Sequence, residues 1–600
     1  LKVKVAQYIA DFLSNKGVRH IFTVTGGGAM HLNDAFGHHD ALQCVYNHHE
    51  QASAIAAEAY TRLSGNIAAV CVTSGPGGTN ALTGVLGGWL DSIPMFILSG
   101  QVKKETTIWS TTIPLRQLGD QEFNIVDCAR TMTKYAHMIT DEKEIRYHLE
   151  KAWYYCQIGR GGPVWLDIPL DIQASFVETE DLNGFDINEL AHAEQPIYDI
   201  AMTPMILNKI KLSKRPIILA GSGIRLGGAR DEFIQLIEKL QIPVVTAWNA
   251  HDLLWDTHDL YCGRPGTVGT RGGNFIVENS DLILVLGCRL NIRQISYNYK
   301  DFAKYAYKII VDIDENELRK PTLNPDLPIH ADVKDVIYSL NNEIVDEKVG
   351  DKKKWLEWCR NINQRYPAVL EKHYAMKSPV NPYVFTDKLF SGLEEGDKVV
   401  TGNGSACVVT FQVAKIKKDQ RLFTNSGCAA MGYGFPAAIG CCFAAQGNRI
   451  ICIDGDGSFQ MNLQELQTVV YNKLNLKIFI LNNNGYHSIR QTQQNLFQPP
   501  LVGVSEDNGL SFPVLEKLSR AYDIQYIKIE SLDRMEEIIK GAITLEGPVL
   551  CEVFLDSGQN FEPKLSSKIL PDGKIVSPPL DDMFPFLERE EYESNKYFEK

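Results

Sequence analysis

The run Ile453-Asp454-Gly455-Asp456-Gly457-Ser458 and, beyond an intervening helix and apolar strand, Leu481-Asn482-Asn483-Asn484-Gly485-Tyr486 decide how this chain is read. Asp456 and Asn483 stand 27 residues apart, each just past the end of an expected strand, where open α/β sheets place their ligands. A carboxylate and a neutral amide oxygen suit Mg²⁺, which bridges to phosphates. Gly455 and Gly457 let backbone N–H groups approach a phosphate closely, and a helix expected from about Asn462 to Tyr471 turns its positive end toward it. Taken singly, Gly-Asp-Gly also reads as a turn and Asn-Asn-Asn-Gly as a helix-entry loop. The ordered pair argues for one cation and diphosphate site.

Outward from these residues, β-like and helical segments alternate, which predicts α/β domains with parallel sheets. Three blocks emerge, at 1–175, 196–345 and 379–556, in keeping with 600 residues. Expected strands are Ile67 to Val72 and Met95 to Leu98 in the first, and Pro216 to Ala220, Leu282 to Leu286 and Ile309 to Asp312 in the second. A polar, acidic stretch from Ser175 to Gln195 and a charged one from Asp346 to Lys354 separate the blocks, with Trp355 to Ser378 read as helix and loop. Residues 557–600 read as a tail or lid without a fold of its own.

The formal charge of −13 argues against a nucleic-acid partner, because a basic stripe is what counters a phosphate backbone. The 13 cysteines are scattered, with no Cys-x-x-Cys spacing, which suits reduced cytosolic thiols rather than a disulfide framework or zinc site. Leu1 to Gly17 carry no targeting pattern. Two uncharged runs, Ser64 to Leu90 and Thr424 to Asn448, are broken by glycine and proline and read as buried strands, loops and helices. The expectation is a soluble cytoplasmic protein with no membrane partner.

A second constellation lies in the first block: Asn47-His48-His49-Glu50-Gln51, a helical run from Ala52 to Arg62, then Thr73-Ser74-Gly75-Pro76-Gly77-Gly78-Thr79-Asn80. A glutamate entering an Ala-rich helix is either a buried acid with a raised pKa or a helix-start residue favoured by the dipole. In the middle block, Gly221-Ser222-Gly223-Ile224-Arg225-Leu226-Gly227-Gly228 is a weak dinucleotide signal with irregular spacing.

At these residues the chain resembles the thiamine diphosphate enzymes, most closely the acetolactate synthase-like branch of the pyruvate oxidase and decarboxylase family. The resemblance runs from about Val5 to Leu555. It implies three doubly wound domains: pyrimidine-binding, central Rossmann-like and diphosphate-binding. It implies Mg²⁺ held by Asp456, Asn483 and the carbonyl of Gly485, and thiamine diphosphate contacts at Gly402, Gly404, Met431, Gly455, Gly457, Ser458, Asn483, Gly485 and Tyr486. Glu50 would bond the aminopyrimidine ring, with Gly27 of the Gly26-Gly27-Gly28 loop and Gln121 near the reaction centre. Gly-Gly-Gly also reads as a flexible turn, Gln121 as a surface residue and Met431 as core filler. Because relatives bind each cofactor between two subunits, a homodimer or a dimer of dimers is implied.

The same resemblance implies structural FAD in the middle block, at Arg160, Gly221, Gly223, Arg289, Arg293, Asp312 and Asp332, although Thr267-Val268 stand where flavin-binding relatives carry Met-His. The implied reaction is decarboxylation of a 2-keto acid and transfer of the acyl unit to a carbonyl acceptor. Three departures enlarge the pocket: Thr492 for a Trp that selects the acceptor, Asp120 for a Phe, and Ser405-Ala406 for Gln-His. They favour a polar acceptor such as a keto sugar, with His487 and Arg490 as contacts or plain helix-face residues, and Phe561, Lys564 and Lys568 as a closing tail. Acetolactate synthase proper, a simple decarboxylase and a non-catalytic subunit are the rival readings.

Overall fold

The computed structural model describes residues 2–190, 195–344, 350–569 and 572–597, the side chains of Lys568, Ile569 and Ile575 excepted. Three parallel sheets organise it. The first runs in space Gln43–Tyr46, His20–Thr23, Ala69–Val72, Met95–Gln101, Pro163–Pro169, Tyr135–Met138. The last runs Arg421–Phe423, Lys398–Thr401, Ile450–Gly455, Leu476–Asn482, Val549–Phe554, Gln525–Ile529. Counting strands from each domain's own first, both read 2-1-3-4-6-5. The middle sheet, Val244–Thr246, Pro216–Ala220, Leu282–Leu286, Tyr307–Asp312, Leu327–His330, reads 2-1-3-4-5.

The strands are short apolar runs, and Ala69–Val72, Pro216–Ala220 and Leu282–Leu286 are buried throughout. Strands covered on both faces carry apolar side chains at every position, which is why alternation is absent and the βαβ pattern of the sequence carries the signal. The middle-block strands at Pro216–Ala220 and Leu282–Leu286 fall where the sequence places them. The two uncharged runs divide into strands and helices, and no helix among the described residues is long and apolar enough to cross a membrane.

Helix Glu50–Ser64 joins the first and third domains. His49 caps it, its ring nitrogen accepting from Gln51 N at 3.1 Å, and Gly65 at φ 75° ends it. Its alanines let neighbours come close: a Cβ on Gly84 would lie 2.5 Å from Ala54 Cβ, and one on Gly440, in Gly434–Ala444, 2.0 Å from the Ala56 carbonyl oxygen. A buried polar network locks this seam. Arg62 meets Glu58 and Asp91, and Tyr433 OH donates to Glu58 at 2.8 Å. Removing Arg62 would leave buried Glu58 and Asp91 without their counter-charge, at a cost of about 3–5 kcal/mol.

Among the described residues, those read as a tail or lid form no core of their own and pack on other domains. After Asp556 the chain lies along the third and middle domains, burying Phe561, Leu580, Met583 and Tyr592 and ending in helix Arg589–Ser594. Tyr592 OH donates to Asp581 at 2.8 Å, and Tyr597 N to Asn279 Oδ1 at 2.7 Å. The surfaces that cover these aromatics belong to other domains, so no local pattern announces them. Within the linkers, 191–194 and 345–349 lie outside the described residues.

Candidate active site

The crest of the third sheet gathers the first constellation. Asp456 follows strand Ile450–Gly455 and is 4% exposed. Its Oδ1 accepts from Gly457 N at 2.8 Å, and its Oδ2 from Gly485 N at 3.1 Å and Asn483 N at 3.2 Å. Burial nonetheless pushes its carboxyl up to about 6, the three backbone donors opposing. Asn483 Nδ2 donates to Ser405 Oγ at 3.3 Å, while its Oδ1 is buried without a partner. The Gly485 carbonyl accepts from His487 N at 3.1 Å and keeps a second lone pair. A buried, unfavourably solvated carboxylate beside an orphaned amide oxygen fits a hard cation. Among the described residues no three His, Cys, Asp or Glu side chains gather as a metal cluster, so a cation here would rest on one carboxylate and neutral oxygens.

The helix is found earlier than expected. It begins at Asp456 itself, as Asp456–Phe459, and passes through the turn Gln460–Glu465 into Leu466–Tyr471. Asn462 breaks the geometry at φ −133° because its Nδ2 donates to Gln51 Oε1 at 2.9 Å and Gly432 O at 2.8 Å. Gly457 is required: a Cβ would lie 2.3 Å from the Tyr486 ring. Gly455 opens on free space. Ser458 Oγ accepts from Gly432 N at 2.9 Å, tying the half-buried Met431 loop to this crest. Gly402 packs on buried Asp454, whose Oδ1 would lie 1.9 Å from a Cβ there, and burial pushes the Asp454 carboxyl up to about 7. Gly404, at φ 69°, leads into helix Ser405–Val413.

The turn Thr73–Gly75 and the first turns of helix Pro76–Asp91 collect the first-domain candidates. Asn80 Nδ2 donates to Glu50 Oε2 at 3.0 Å, and a Cβ on Gly77 would lie 3.7 Å from Glu50 Oε1. Gly28 N donates to Thr73 Oγ1 at 3.0 Å. The Gln121 carbonyl lies against Gly75, Gln121 having φ 61° and an exposed side chain. Of the two readings of Glu50, the structure has it as the first residue of helix Glu50–Ser64 and half-buried in the single chain, Asn80 and Gly77 lying on one side of its carboxylate. Gly27 is exposed and a Cβ there would meet nothing within 4 Å, whereas one on Gly26 would lie 2.5 Å from Thr73 Cβ and one on Gly28 2.8 Å from Ser74 Oγ.

A third site opens at the C-terminal ends of the middle strands. A cavity of about 670 Å³ is lined there by Gly223, Arg289, Asp312 and Asp332, with Arg160 from the first domain and Arg421 from the third. Gly221 stands behind it, where a Cβ would lie 2.2 Å from Gly287 O. Burial pushes Asp312 up to about 6. Arg160 is already paired, with Asp314 at 3.0 Å and Glu317 at 2.9 Å. Arg293 is not among the lining residues; it lies over the Trp248 ring at 5.6 Å.

These three crests match known sequences in order. Residues 3–124 match the N-terminal TPP binding domain of thiamine pyrophosphate enzymes, 205–340 their central domain and 402–553 their C-terminal TPP binding domain. The acetolactate synthase large subunit of Lactococcus lactis is 30% identical over 571 residues, covering 95% of this chain and 96% of that protein. A probable acetolactate synthase large subunit of Methanocaldococcus jannaschii is 31% identical over 579 residues, 93% of each. Isozyme 1 of Escherichia coli is 28% identical over 563 residues, 93% of this chain and 95% of that protein.

The chain belongs to the thiamine pyrophosphate enzymes of the acetolactate synthase type.

Within this thiamine pyrophosphate enzyme, helix His487–Leu496 and the C-terminal segment border the crest that carries Asp456 and Asn483. His487 is buried and its Nε2 lies 3.0 Å from Gln559 O, with Phe561 edge-on to its ring. Burial first, then the charge of Arg490, holds its imidazole below the ordinary range. A small cavity links Asn483, Ser405, His487, Asp556, Gln559 and Phe561. Arg490, read as an acceptor contact or an exposed helix-face residue, is buried rather than exposed, and its guanidinium donates to the carbonyls of Asn483 at 3.1 Å and Asn484 at 2.7 Å, clamping the Asn483–Gly485 loop. Thr492 is exposed, its hydroxyl donating to Ser488 O at 3.0 Å. The side chain of Lys568 lies outside the described residues. Sequence reasoning missed Ser405 as the residue orienting Asn483, Asn80 as the partner of Glu50, and Gln559 over His487. Asn80 and Ser405 belong to runs singled out in the sequence; Gln559 does not.

Proposed function

We propose that this enzyme decarboxylates a 2-keto acid, pyruvate first among them, and joins the acyl unit to a larger, polar carbonyl acceptor of the keto sugar class. Asp456, Asn483 and the Gly485 carbonyl would hold Mg²⁺. Gly402, Gly404, Met431, Gly455, Gly457, Ser458 and Tyr486 would hold thiamine diphosphate, with Glu50 supplied to the aminopyrimidine by a second copy in a homodimer. Bound thiamine diphosphate supplies the nucleophilic carbon and electron sink that decarboxylation needs. Glu50, kept in place by Asn80, would exchange a proton at the aminopyrimidine nitrogen. Arg490 and Ser405 fix the cation loop, and the C-terminal segment, through Gln559 and Phe561, excludes water from the Asn483 cavity. The middle cavity, at about 670 Å³, is large enough for a dinucleotide, and we assign it to FAD in a structural role.

The acceptor reading is carried by one observation: a small exposed hydroxyl, Thr492, stands where acetolactate synthases use a Trp to select the acceptor. The second reading, condensation of two 2-keto acids, is favoured by relatives named acetolactate synthase along nearly the whole chain. Incubating the enzyme with pyruvate alone and with pyruvate plus keto sugars, and identifying products by NMR, separates them. A branched sugar formed in preference to acetolactate is expected. Acetolactate as the sole ligation product would overturn the keto sugar reading, and free acetaldehyde alone would leave a decarboxylase.

A further inference from the structure

The turn Gln460–Glu465, which follows Asp456–Phe459 on the third domain, reaches across the seam and grips the chain on both sides of Glu50. Upstream, buried Glu465 accepts from Asn47 Nδ2 at 3.0 Å and from His48 N at 2.8 Å. Asn47 passes this hold on to the helix, its Oδ1 accepting from Ser53 Oγ at 3.1 Å. Downstream, Asn462 Nδ2 donates to Gln51 Oε1 at 2.9 Å. Between the two grips the Glu50 carboxylate turns the other way, to Asn80.

Two features separate this bracket from ordinary domain packing. Asn462 is fully buried and leaves helical geometry where its amide meets Gln51 and the Gly432 carbonyl, while its Oδ1 has no partner among the described residues. A carbonyl can only accept, so Nδ2 must face Gly432 and the amide cannot turn over to satisfy Oδ1. A buried acceptor left unmade is unfavourable, so the amide serves the two contacts it makes rather than its own helix. On the other flank Glu465 accepts at both oxygens, Thr468 Oγ1 being its third donor at 2.6 Å, and carboxylate bonds of this kind are the strong ones. Directional bonds therefore fix residues 47, 48 and 51, which sets where the Glu50 side chain starts.

We infer that Asn462, together with Gln51 and Glu465, is a positioning residue for Glu50: the turn that grows out of the Asp456 helix fixes the place from which the acid exchanges its proton. This rests on the assignment of Glu50 to proton exchange and deepens it, adding residues that act through Glu50.

The test is a mutant cycle on the full-length enzyme loaded with thiamine diphosphate and Mg²⁺, read by CO₂ release from pyruvate and by calorimetric cofactor affinity. Gln51→Ala and Asn462→Ala should each lower kcat about 10- to 100-fold, the scale of a displaced reacting group, and together no further than the larger alone. Gln51→Ala leaves Gly432 O its donor and should keep native cofactor affinity; it also carries the test if Asn462→Ala does not fold. In Glu50→Gln, where the acid is already lost, adding Gln51→Ala should cost less than about 2-fold more, whereas a merely structural role would repeat its full loss there. Without cofactor, hydrogen exchange across residues 47–53 should be faster in either variant than in the native chain. Native kcat in Gln51→Ala, a repeated loss in the Glu50→Gln background, or unchanged exchange overturns the positioning role while Glu50 keeps its own. Full CO₂ release from Glu50→Gln alone would instead fell the assignment of Glu50, and the positioning role with it.

Discussion

In the first domain, strand His20–Thr23 runs into Gly26-Gly27-Gly28 and Ala69–Val72 into Thr73–Asn80; in the third, Lys398–Thr401 runs into Gly402-Asn403-Gly404 and Ile450–Gly455 into Asp456-Gly457-Ser458. These are corresponding strands of two sheets with one order. Glycine recurs at the matched loops for the same steric reason, Gly28 against Ser74 and Gly402 against Asp454. The polar groups differ. The third domain places a buried carboxylate and an orphaned amide oxygen at this edge, whereas the first places the hydroxyls of Thr73 and Ser74 there and takes its acid, Glu50, from beyond strand Gln43–Tyr46. A shared backbone frame positions loops, and a handful of loop residues decide what each copy can bind.

The comparison breaks most completely at Asp456. Asp456→Ala should reduce activity roughly 10⁴-fold or more and abolish Mg²⁺-dependent cofactor binding in calorimetry, since in the proposed site ion and diphosphate would lose their common anchor. Retention of Mg²⁺-dependent binding would mean the two crests are not specialised as described. Glu50→Gln should cost about 10²- to 10⁴-fold in CO₂ release with cofactor still bound, a proton-transfer loss without a binding loss. Near-native CO₂ release would remove the first domain from the chemistry.

The seam between the two copies offers a smaller test. Gly440→Ala places a methyl into the Ala56 carbonyl and should destabilise by about 1–3 kcal/mol in thermal unfolding. Gly541→Ala, in helix Met535–Thr544 with nothing within 4 Å of the new Cβ, should be neutral or stabilise by up to about 1 kcal/mol. Equal effects would show that the close helix approach is unimportant.

The smallest effect concerns buried acids inside the sheets. Burial pushes both Asp167 of the first sheet and Asp454 of the third up to about 7. A carboxyl near 3.9 when unfolded and raised when folded contributes stability that is fully present below about pH 4 and is lost as pH rises through about 7. Asp167→Asn cannot ionise and can still meet Ser99 and Gln101, so its unfolding free energy should fall less between pH 5 and 8, by on the order of 2 kcal/mol. An unchanged pH slope would mean Asp167 titrates normally.

Much of this was legible in short windows. The Gly-Asp-Gly and Asn-Asn-Asn-Gly runs marked the crest where Asp456 and the Asn483 loop meet, because carboxylate, amide and glycine have narrow uses at strand ends, and the middle strands at Pro216–Ala220 and Leu282–Leu286 followed from apolar runs between turn formers. The helix start was misplaced because Asn462 is pulled out of helical geometry by Gln51, far away in the chain. Arg490 looked available because its partners are backbone carbonyls, which leave no trace in residue type.

By itself the sequence determined the local chemistry and the α/β alternation, since capping, turn formation and strand burial act within a few residues. The tertiary structure alone decided which distant groups meet: Asn47 with Glu465 at 3.0 Å, Asn483 with Ser405, Lys564 with Gln491, and a C-terminal segment with the faces of other domains. Such meetings depend on which faces are buried when whole domains dock, and that is a property of shape complementarity summed over many residues, not of any one motif.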